Sequence, residues 1–340
     1  MASSPALWAT FCLFGLHLLA GLAQANEPAG DAVERVESRA TAFDVQDLDW
    51  QDAQRQRAVP VRLYWPARAE ASGAPVPLIV FSHGIGGSRR GYSYLGQYWA
   101  SQGYASLHVQ HVGSDRQLWA GSPWGLVGRL HGAAQEREAI HRARDISFAL
   151  DQLLQGEWGV RIDARRIVAA GHSYGANTSL LLAGARVARR GAVMDLRDER
   201  FKAALIISAP PFYGEPDPAA ILASVNIPTL HITATEDVIR IPGYYSDAQD
   251  RLRVFDATGS ATKSLVVFEG GSHSVFTDRD GTGGLTLNPK LKTATRELTL
   301  AFLSQVFDGQ GEGLLNWGER HGGLLARWVR PGDGSASVLR

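Results

Sequence analysis

The chain has 340 residues, 45% of them hydrophobic and 20% charged, which is enough apolar matter for a large core and too much for a disordered chain. Lysine plus arginine equals aspartate plus glutamate at 34 each, so nothing in the charge balance argues for a nucleic-acid partner. The single cysteine, Cys12, lies in an apolar leader, and the rest of the chain has no thiol for a disulfide, a nucleophile or a thiolate metal site.

Residues 1–25 carry no Lys, Arg, Asp or Glu, and Leu7–Leu22 is mostly apolar. Ala23-Gln24-Ala25 follows with the small-x-small pattern of signal-peptidase cleavage. This predicts an exported protein, periplasmic or secreted, with no stable membrane span once the segment is removed; an uncleaved anchor is the competing reading. Residues 26–40 read as a flexible leader, 41–308 as one α/β domain, and the Gly-rich 309–340 as a tail without an assigned role.

Within the domain, Thr41–Trp50 and Val59–Trp65 alternate apolar and polar residues around a polar turn, which predicts an antiparallel hairpin. Continuous apolar runs at Pro77–Ser82, Ala105–Val109, Ile167–Ala170, Ala203–Ser208, Thr229–Thr235 and Ser264–Phe268 read as buried strands. Gly91–Gln102, Glu136–Leu154, Ala176–Ala188 and Pro289–Val306 read as helices between and after them, and His111–Leu130 as a long loop. The charged residues of Glu136–Arg144 read as a solvated helix face with i,i+4 pairs. Such alternation predicts a mostly parallel sheet with helices on both faces and a ligand site beyond the carboxyl ends of its strands. Ala209–Pro228 is too short for a large lid domain.

Gly171-His172-Ser173-Tyr174-Gly175 sits between a predicted strand and a predicted helix. A serine between two glycines at such a turn presents its Oγ above the sheet, at the positive end of the helix dipole. A serine nucleophile needs a base, and the base an orienting carboxylate. Downstream stand His231, His273 and His321. His231 lies inside a strand and reads as a core residue; His321 lies in the tail; His273, in the loop after a strand, is the expected base. Asp237, at the end of the Thr229–Thr235 strand, is the expected acid, with Glu236 its rival. Asp247, Asp250 and Asp256 lie further from the strand end.

The oxyanion would be held by the Tyr174 N–H and by an N–H of the loop His83-Gly84-Ile85-Gly86-Gly87. Ile85 is the first choice there, with Gly84 and Gly86 as alternatives, and His83 reads as a loop brace. Trp119 and Trp124 either wall the substrate or pack their loop down. Phe212, Tyr213, Tyr244 and Tyr245 are candidate binding aromatics with the same alternative. Asp278-Arg279-Asp280-Gly281 has Pro289 where a calcium loop would need Glu, and reads as a turn.

Phe81-Ser-His-Gly-Ile-Gly-Gly-Ser88, Gly171-His-Ser-Tyr-Gly175, Thr235-Glu-Asp237 and Gly271-Ser-His273 resemble, in order and spacing over residues 59–307, the α/β-hydrolase fold. The likeness is to bacterial enzymes similar to dienelactone hydrolases, platelet-activating-factor acetylhydrolases and chlorophyllases. It implies Ser173 as nucleophile, His273 as base and Ile85 as an oxyanion donor. The implied activity is a serine carboxylic-ester hydrolase working through an acyl-enzyme on a small or lipid-like ester, with no metal or organic cofactor. Two departures limit it. Acetylhydrolases of the plasma type resemble one another in placing the acid directly after the strand that follows the elbow helix, where this chain has Ala209-Pro210-Pro211; dienelactone hydrolases use a cysteine nucleophile. A non-catalytic binding protein on the same fold, or an amidase or peptidase sharing the triad, are the alternatives.

Overall fold

The computed structural model describes residues 42–67, 73–189, 192–241, 243–279 and 284–331. The signal and leader readings (1–25 and 26–40), Asp280, Gly281 and the end of the tail lie outside the described residues.

The chain opens with the predicted hairpin, β1 (Phe43–Asp52) paired antiparallel with β2 (Arg57–Pro66). Then come β3 (Val76–Ser82), helix α1 (Ser93–Ser101), β4 (Ala105–Val109), α2 (Leu126–Ala133) and α3 (Glu136–Gln155). Next are β5 (Ile162–His172), α4 (Tyr174–Leu182), a small hairpin β6 (Arg186–Arg189) and β7 (Ala192–Asp195), and β8 (Phe201–Ile207). After α5 (Pro218–Leu222) and β9 (Thr229–Glu236) stands a second small hairpin, β10 (Ile239–Ile241) and β11 (Tyr244–Ser246). The chain closes with α6 (Ala248–Ala257), β12 (Lys263–Ser272), α7 (Gly284–Asp308), α8 (Glu312–His321) and β13 (Leu325–Val329). Among the described residues no helix is long and apolar enough to cross a membrane.

Nine strands form one sheet in the order β1-β2-β4-β3-β5-β8-β9-β12-β13. The six from β4 to β12 run parallel, and the edges are antiparallel. Each central strand is apolar on both sides because both faces are covered. Leu78 and Val80 of β3, and Ile167 and Ala169 of β5, join a core with Ile146 and Leu150 of α3 and Leu180 of α4. Their neighbours Ile79, Phe81, Val168 and Ala170 face the other way, toward Trp99 of α1, Leu298 and Phe302 of α7, and Trp317 of α8. One alternation along four residues of each strand thus serves two cores, as the period of a strand dictates.

The structure departs from the sequence reading in four places. The helix expected over Ala176–Ala188 stops at Leu182, because Gly184 turns to φ +116° and Arg186–Arg189 pairs with Ala192–Asp195. The tail does not begin at 309. Trp317 of α8 is fully buried and β13 pairs with β12, so the packed domain extends to Val329. The long loop after His111 contains two 3₁₀ turns and α2. Finally, the face of α3 read as solvated is in part interior: Glu138, Arg142 and Asp145 are buried. They share a stripe with Ala149 and Leu153, at the spacing of one helix face.

Candidate active site

The sheet brings the site together by register. Ser82 lies beside Gly171, His172 beside Ile207, and Ser272 beside Glu236, so the residues that follow β3, β5, β8, β9 and β12 meet at one edge. Ser173 follows β5 with φ 56° and ψ −125°, a costly conformation for a residue with a side chain. Its flanks explain why this turn can exist. A Cβ on Gly171 would stand 2.1 Å from the Gly175 carbonyl oxygen, and one on Gly175 would stand 1.9 Å from that of Ser82. Only glycine fits at either place.

From Ser173 a chain of hydrogen bonds runs back into the protein. Ser173 Oγ lies 2.9 Å from His273 Nε2, and His273 Nδ1 lies 2.7 Å from Asp237 Oδ1. His273 opens a 3₁₀ turn at the end of β12, which is longer than the strand expected there. Asp237 is fully buried. Its Oδ1 also accepts from Arg251 Nη2 at 3.3 Å, and its Oδ2 from Thr233 Oγ1 at 2.7 Å and from the Ser208 hydroxyl. Burial alone would raise this carboxyl's pKa. The charge and hydrogen bond of His273, then Arg251 and Ser208, outweigh it and hold Asp237 well below the usual carboxylate range. An ionised Asp237 can only accept, which puts a proton on His273 Nδ1 and leaves Nε2 to receive one from Ser173. Glu236, the rival acid, is the exposed last residue of β9.

Ser208 is the residue sequence reasoning missed. Its hydroxyl lies 2.8 Å from His273 Nδ1 as well as touching Asp237, and its backbone is held at φ +56°. The available signal was its place at the carboxyl end of a strand, level with the other site residues.

On the opposite side of Ser173, the two candidate oxyanion donors can be told apart from their neighbours. The Gly84 N–H donates to Tyr92 Oη at 3.1 Å, and the Gly86 N–H to the Ser114 carbonyl at 2.8 Å. Among the described residues, the N–H groups of Ile85 and Tyr174 have no partner. His83 is the brace expected of it. Its Nδ1–H donates to the Gly84 carbonyl at 2.7 Å and its Nε2 accepts from the His111 N–H at 3.1 Å. Burial, then the nearby Arg142, drives its pKa far down, so it stays neutral.

Arg142 was hidden in the charged stretch of α3. Fully buried, it donates from Nη2 to the His83 carbonyl and to Ser82 Oγ at 3.1 Å, from Nη1 to Ser114 Oγ at 2.8 Å, and from Nε to Thr178 Oγ1 at 3.1 Å. Its guanidinium also lies 4.4 Å from the centre of the Tyr174 ring. One side chain therefore grips both donor-bearing segments. His172 ties a third: its Nε2–H donates to the His273 carbonyl at 3.1 Å, and its Nδ1 accepts from Tyr92 Oη at 2.9 Å.

Above the serine opens a cleft of about 1350 Å³. Trp119, Phe212, Tyr213 and Tyr244 line it, with Val187 and Met194 of the β6–β7 hairpin. Trp119 also donates to the Gly86 carbonyl at 2.9 Å, which ties its loop to the donor loop. Trp124 does not reach the cleft; it is 96% exposed. Tyr213 donates to Ser246 Oγ at 3.0 Å and packs edge-on against Tyr244 of β11. Tyr245 follows it in β11, exposed and outside the cleft. His231 is buried edge-on against Phe255 as expected, and His321 binds Glu297 at 3.0 Å, away from Ser173.

A family model described as platelet-activating factor acetylhydrolase, isoform II, matches residues 57–117, from β2 through the donor loop to the first 3₁₀ turn after β4. No curated protein matches the sequence. Among solved structures, a ferulic acid esterase from Streptomyces cinnamoneus superposes with a TM-score of 0.60 at 23% identity, over 82% of this chain and 94% of that one. The chain has the α/β-hydrolase fold. A cold-adapted esterase from an Arctic intertidal metagenomic library shares the fold at 20% identity and TM-score 0.50, over 70% and 88% of the two chains. So does an acylaminoacyl peptidase from Pyrococcus horikoshii, at 17% identity and TM-score 0.54, over 78% of this chain and 42% of that one. As an α/β-hydrolase fold it is compact above the sheet. The segment from β8 to β9 carries only α5, and the cleft walls are the two small hairpins and the stretch around α2.

Proposed function

We propose that the protein is a serine carboxylic-ester hydrolase that works through an acyl-enzyme on a small or lipid-like ester. The observation that carries this reading is the unbroken hydrogen-bonded line from Asp237 through His273 to Ser173, ending in an open cleft beside two unpartnered N–H groups. Ser173 Oγ attacks the ester carbonyl carbon while its proton passes to His273 Nε2. The Ile85 and Tyr174 N–H groups hold the oxygen that becomes negative. Collapse of the intermediate expels the alcohol, which takes the proton from His273. Water then repeats the sequence and releases the acid. Asp237 stays ionised and steadies the imidazolium formed in each half. Two esterases and an acylaminoacyl peptidase share the fold, so the choice of ester over amide is what the anilide comparison below tests. The apolar residues 1–25 support export, to the periplasm or beyond, and a mature N-terminus at Asn26 is the outcome that checks it.

The test joins a fluorophosphonate label, located by mass spectrometry, to turnover of 4-nitrophenyl esters of increasing chain length. Label on Ser173, ester turnover, and a loss of about a million-fold in Ser173→Ala with an unchanged melting curve are expected. Folded protein with neither label nor turnover would instead make this a binding protein. Anilide cleavage matching ester cleavage would make it an amidase.

A further inference from the structure

Five arginines line the cleft that holds Ser173: Arg116, Arg137, Arg189, Arg240 and Arg279. Only two described carboxylates line it with them, Glu136 and Asp278. Arg189 is neutralised by Glu215 at 2.8 Å and Glu136 at 3.5 Å, while Asp278 accepts the Ser93 N–H at 2.9 Å. The remaining four guanidinium groups have no ion-pair partner among the described residues. The chain as a whole has equal numbers of acidic and basic residues, 34 each, so the basic excess at the cleft is local. Arg55, Arg57, Arg62, Arg89 and Arg200 all hold carboxylates.

The four come from separate places in the sequence. Arg116 starts the 3₁₀ turn beyond β4, Arg137 lies in the first turn of α3, Arg240 in β10, and Arg279 just after the His273 turn. All four are exposed at the rim. Beneath them the wall is apolar, with Leu181, Val187, Met194, Phe212, Ile239 and Ile241. The volume of about 1350 Å³ exceeds what a short acyl ester needs.

Resting on the serine-hydrolase reading, we propose that the cleft selects an amphiphilic ester: an apolar acyl chain on the floor, and an anionic group, carboxylate or phosphate, held at the arginine rim. A guanidinium fork matches either anion. One exposed arginine contributes little in water, but several of one sign around a concave apolar wall focus their field on a bound or approaching anion. The effect falls on capture of substrate, so it appears in KM and on-rate and weakens with salt.

The experiment compares matched esters of one acyl chain. 3-(Octanoyloxy)benzoic acid is set against its methyl ester, and 1-octanoylglycerol 3-phosphate against 1-octanoylglycerol, at low salt and at about 0.5 M NaCl. At least one anionic member should have a kcat/KM about tenfold above its neutral twin, mostly through KM, with the ratio shrinking several-fold in high salt. Which pair shows it separates carboxylate from phosphate. Changing Arg116, Arg137, Arg240 and Arg279 singly to Gln should lower that ratio about two- to threefold each, and together abolish it. Equal kcat/KM within both pairs, or a preference indifferent to salt and to all four substitutions, overturns the inference while leaving the hydrolase intact. A rate enhancement confined to neutral ester presented in anionic vesicles overturns it in favour of a surface. Absence of both turnover and Ser173 labelling removes the hydrolase reading and this inference with it. Wild-type salt dependence stands independently of any variant's folding.

Discussion

Two buried charges flank Ser173, and the protein holds them in opposite ways. Asp237 meets the His273 imidazole on the working side and the Arg251 guanidinium behind, with Ser208 and Thr233 donating to its second oxygen. Arg142 meets neutral oxygens: three hydroxyls and the His83 carbonyl. The pKa values respond accordingly. Burial loses to opposite charge at Asp237, which is held low. At Arg142 burial wins and brings the pKa down to about 10, still cationic at neutral pH. The difference separates two jobs. A carboxylate that must balance a travelling proton needs its charge tuned by other charges. A guanidinium that pins backbone needs donors in a fixed fan, and hydroxyls and carbonyls suffice to receive them.

Either charge can be removed on its own. Asp237→Asn should lower kcat by about 10⁴-fold, because the amide favours the wrong tautomer of His273, while the fold survives. Steady-state kinetics alongside a urea melt measure both, and a larger loss in Glu236→Gln would transfer the role to Glu236. Arg142→Met should do the reverse first. It takes a donor from the buried Ser82, Ser114 and Thr178 hydroxyls, which keep His111, Glu138 and the Tyr174 carbonyl as partners, and from the His83 carbonyl, and unfolding free energy should fall by about 3 kcal/mol. Activity should follow through loss of the Ile85 loop's position. An Arg142→Met enzyme with full stability and depressed kcat would mean that its charge, not its grip, is what matters.

Ser208 sharpens the acid side alone. Ser208→Ala should reduce kcat about tenfold with little change in KM, and cost about 1 kcal/mol of stability, since Asp237 loses a donor and the backbone keeps its positive φ. Ser208→Gly should be the more stable of the two, with the same kcat, because only the strain is relieved. Equal stabilities would show that the φ carries no cost here.

The smallest effect concerns acid stability and uses a carboxylate outside the site. Asp47 on β1 is brought down to about 2, chiefly by hydrogen bonds from Arg62, with burial opposing and Arg90 assisting. A carboxyl held below its unfolded value binds its proton less readily in the folded chain. Its contribution is therefore whole above about pH 4 and fades as pH drops toward 2. Asp237, held lower still, should behave the same way over a wider range. The acid limb of a urea-midpoint profile should flatten slightly in Asp47→Asn, and more in Asp237→Asn. An unchanged limb in both would deny the carboxylates that role.

Much of this was legible before folding was considered. The two-residue period of the strands and the apolar stripes of the helices are carried by neighbours a few positions apart, and so are the glycines of 171–175. The meeting of Ser173, Asp237 and His273 followed from one topological rule, that parallel strands of an α/β sheet open their carboxyl ends on a common edge. The failures have another origin. Arg142 looked like one of many helix charges because its fate depends on Ser82, 60 positions away. The strand at 325–329 was illegible because it completes an edge supplied by β12. Trp119 and Trp124 share composition and context, yet one bonds to Gly86 and the other stands in solvent.

The amino-acid sequence by itself therefore determined the order of the elements, the elbow at Ser173, and which residue types stood at the strand ends, because these rest on local sterics and short-period burial. Only the tertiary structure decided that Ser208, 65 positions from His273, shares its Nδ1 proton with Asp237, that among the described residues Ile85 and not its glycine neighbours keeps an unspent N–H, and that four arginines without an ion-pair partner among those residues line one cleft. Those outcomes depend on how distant polar groups compete for one another once water has been excluded, and no local pattern encodes the result of that competition.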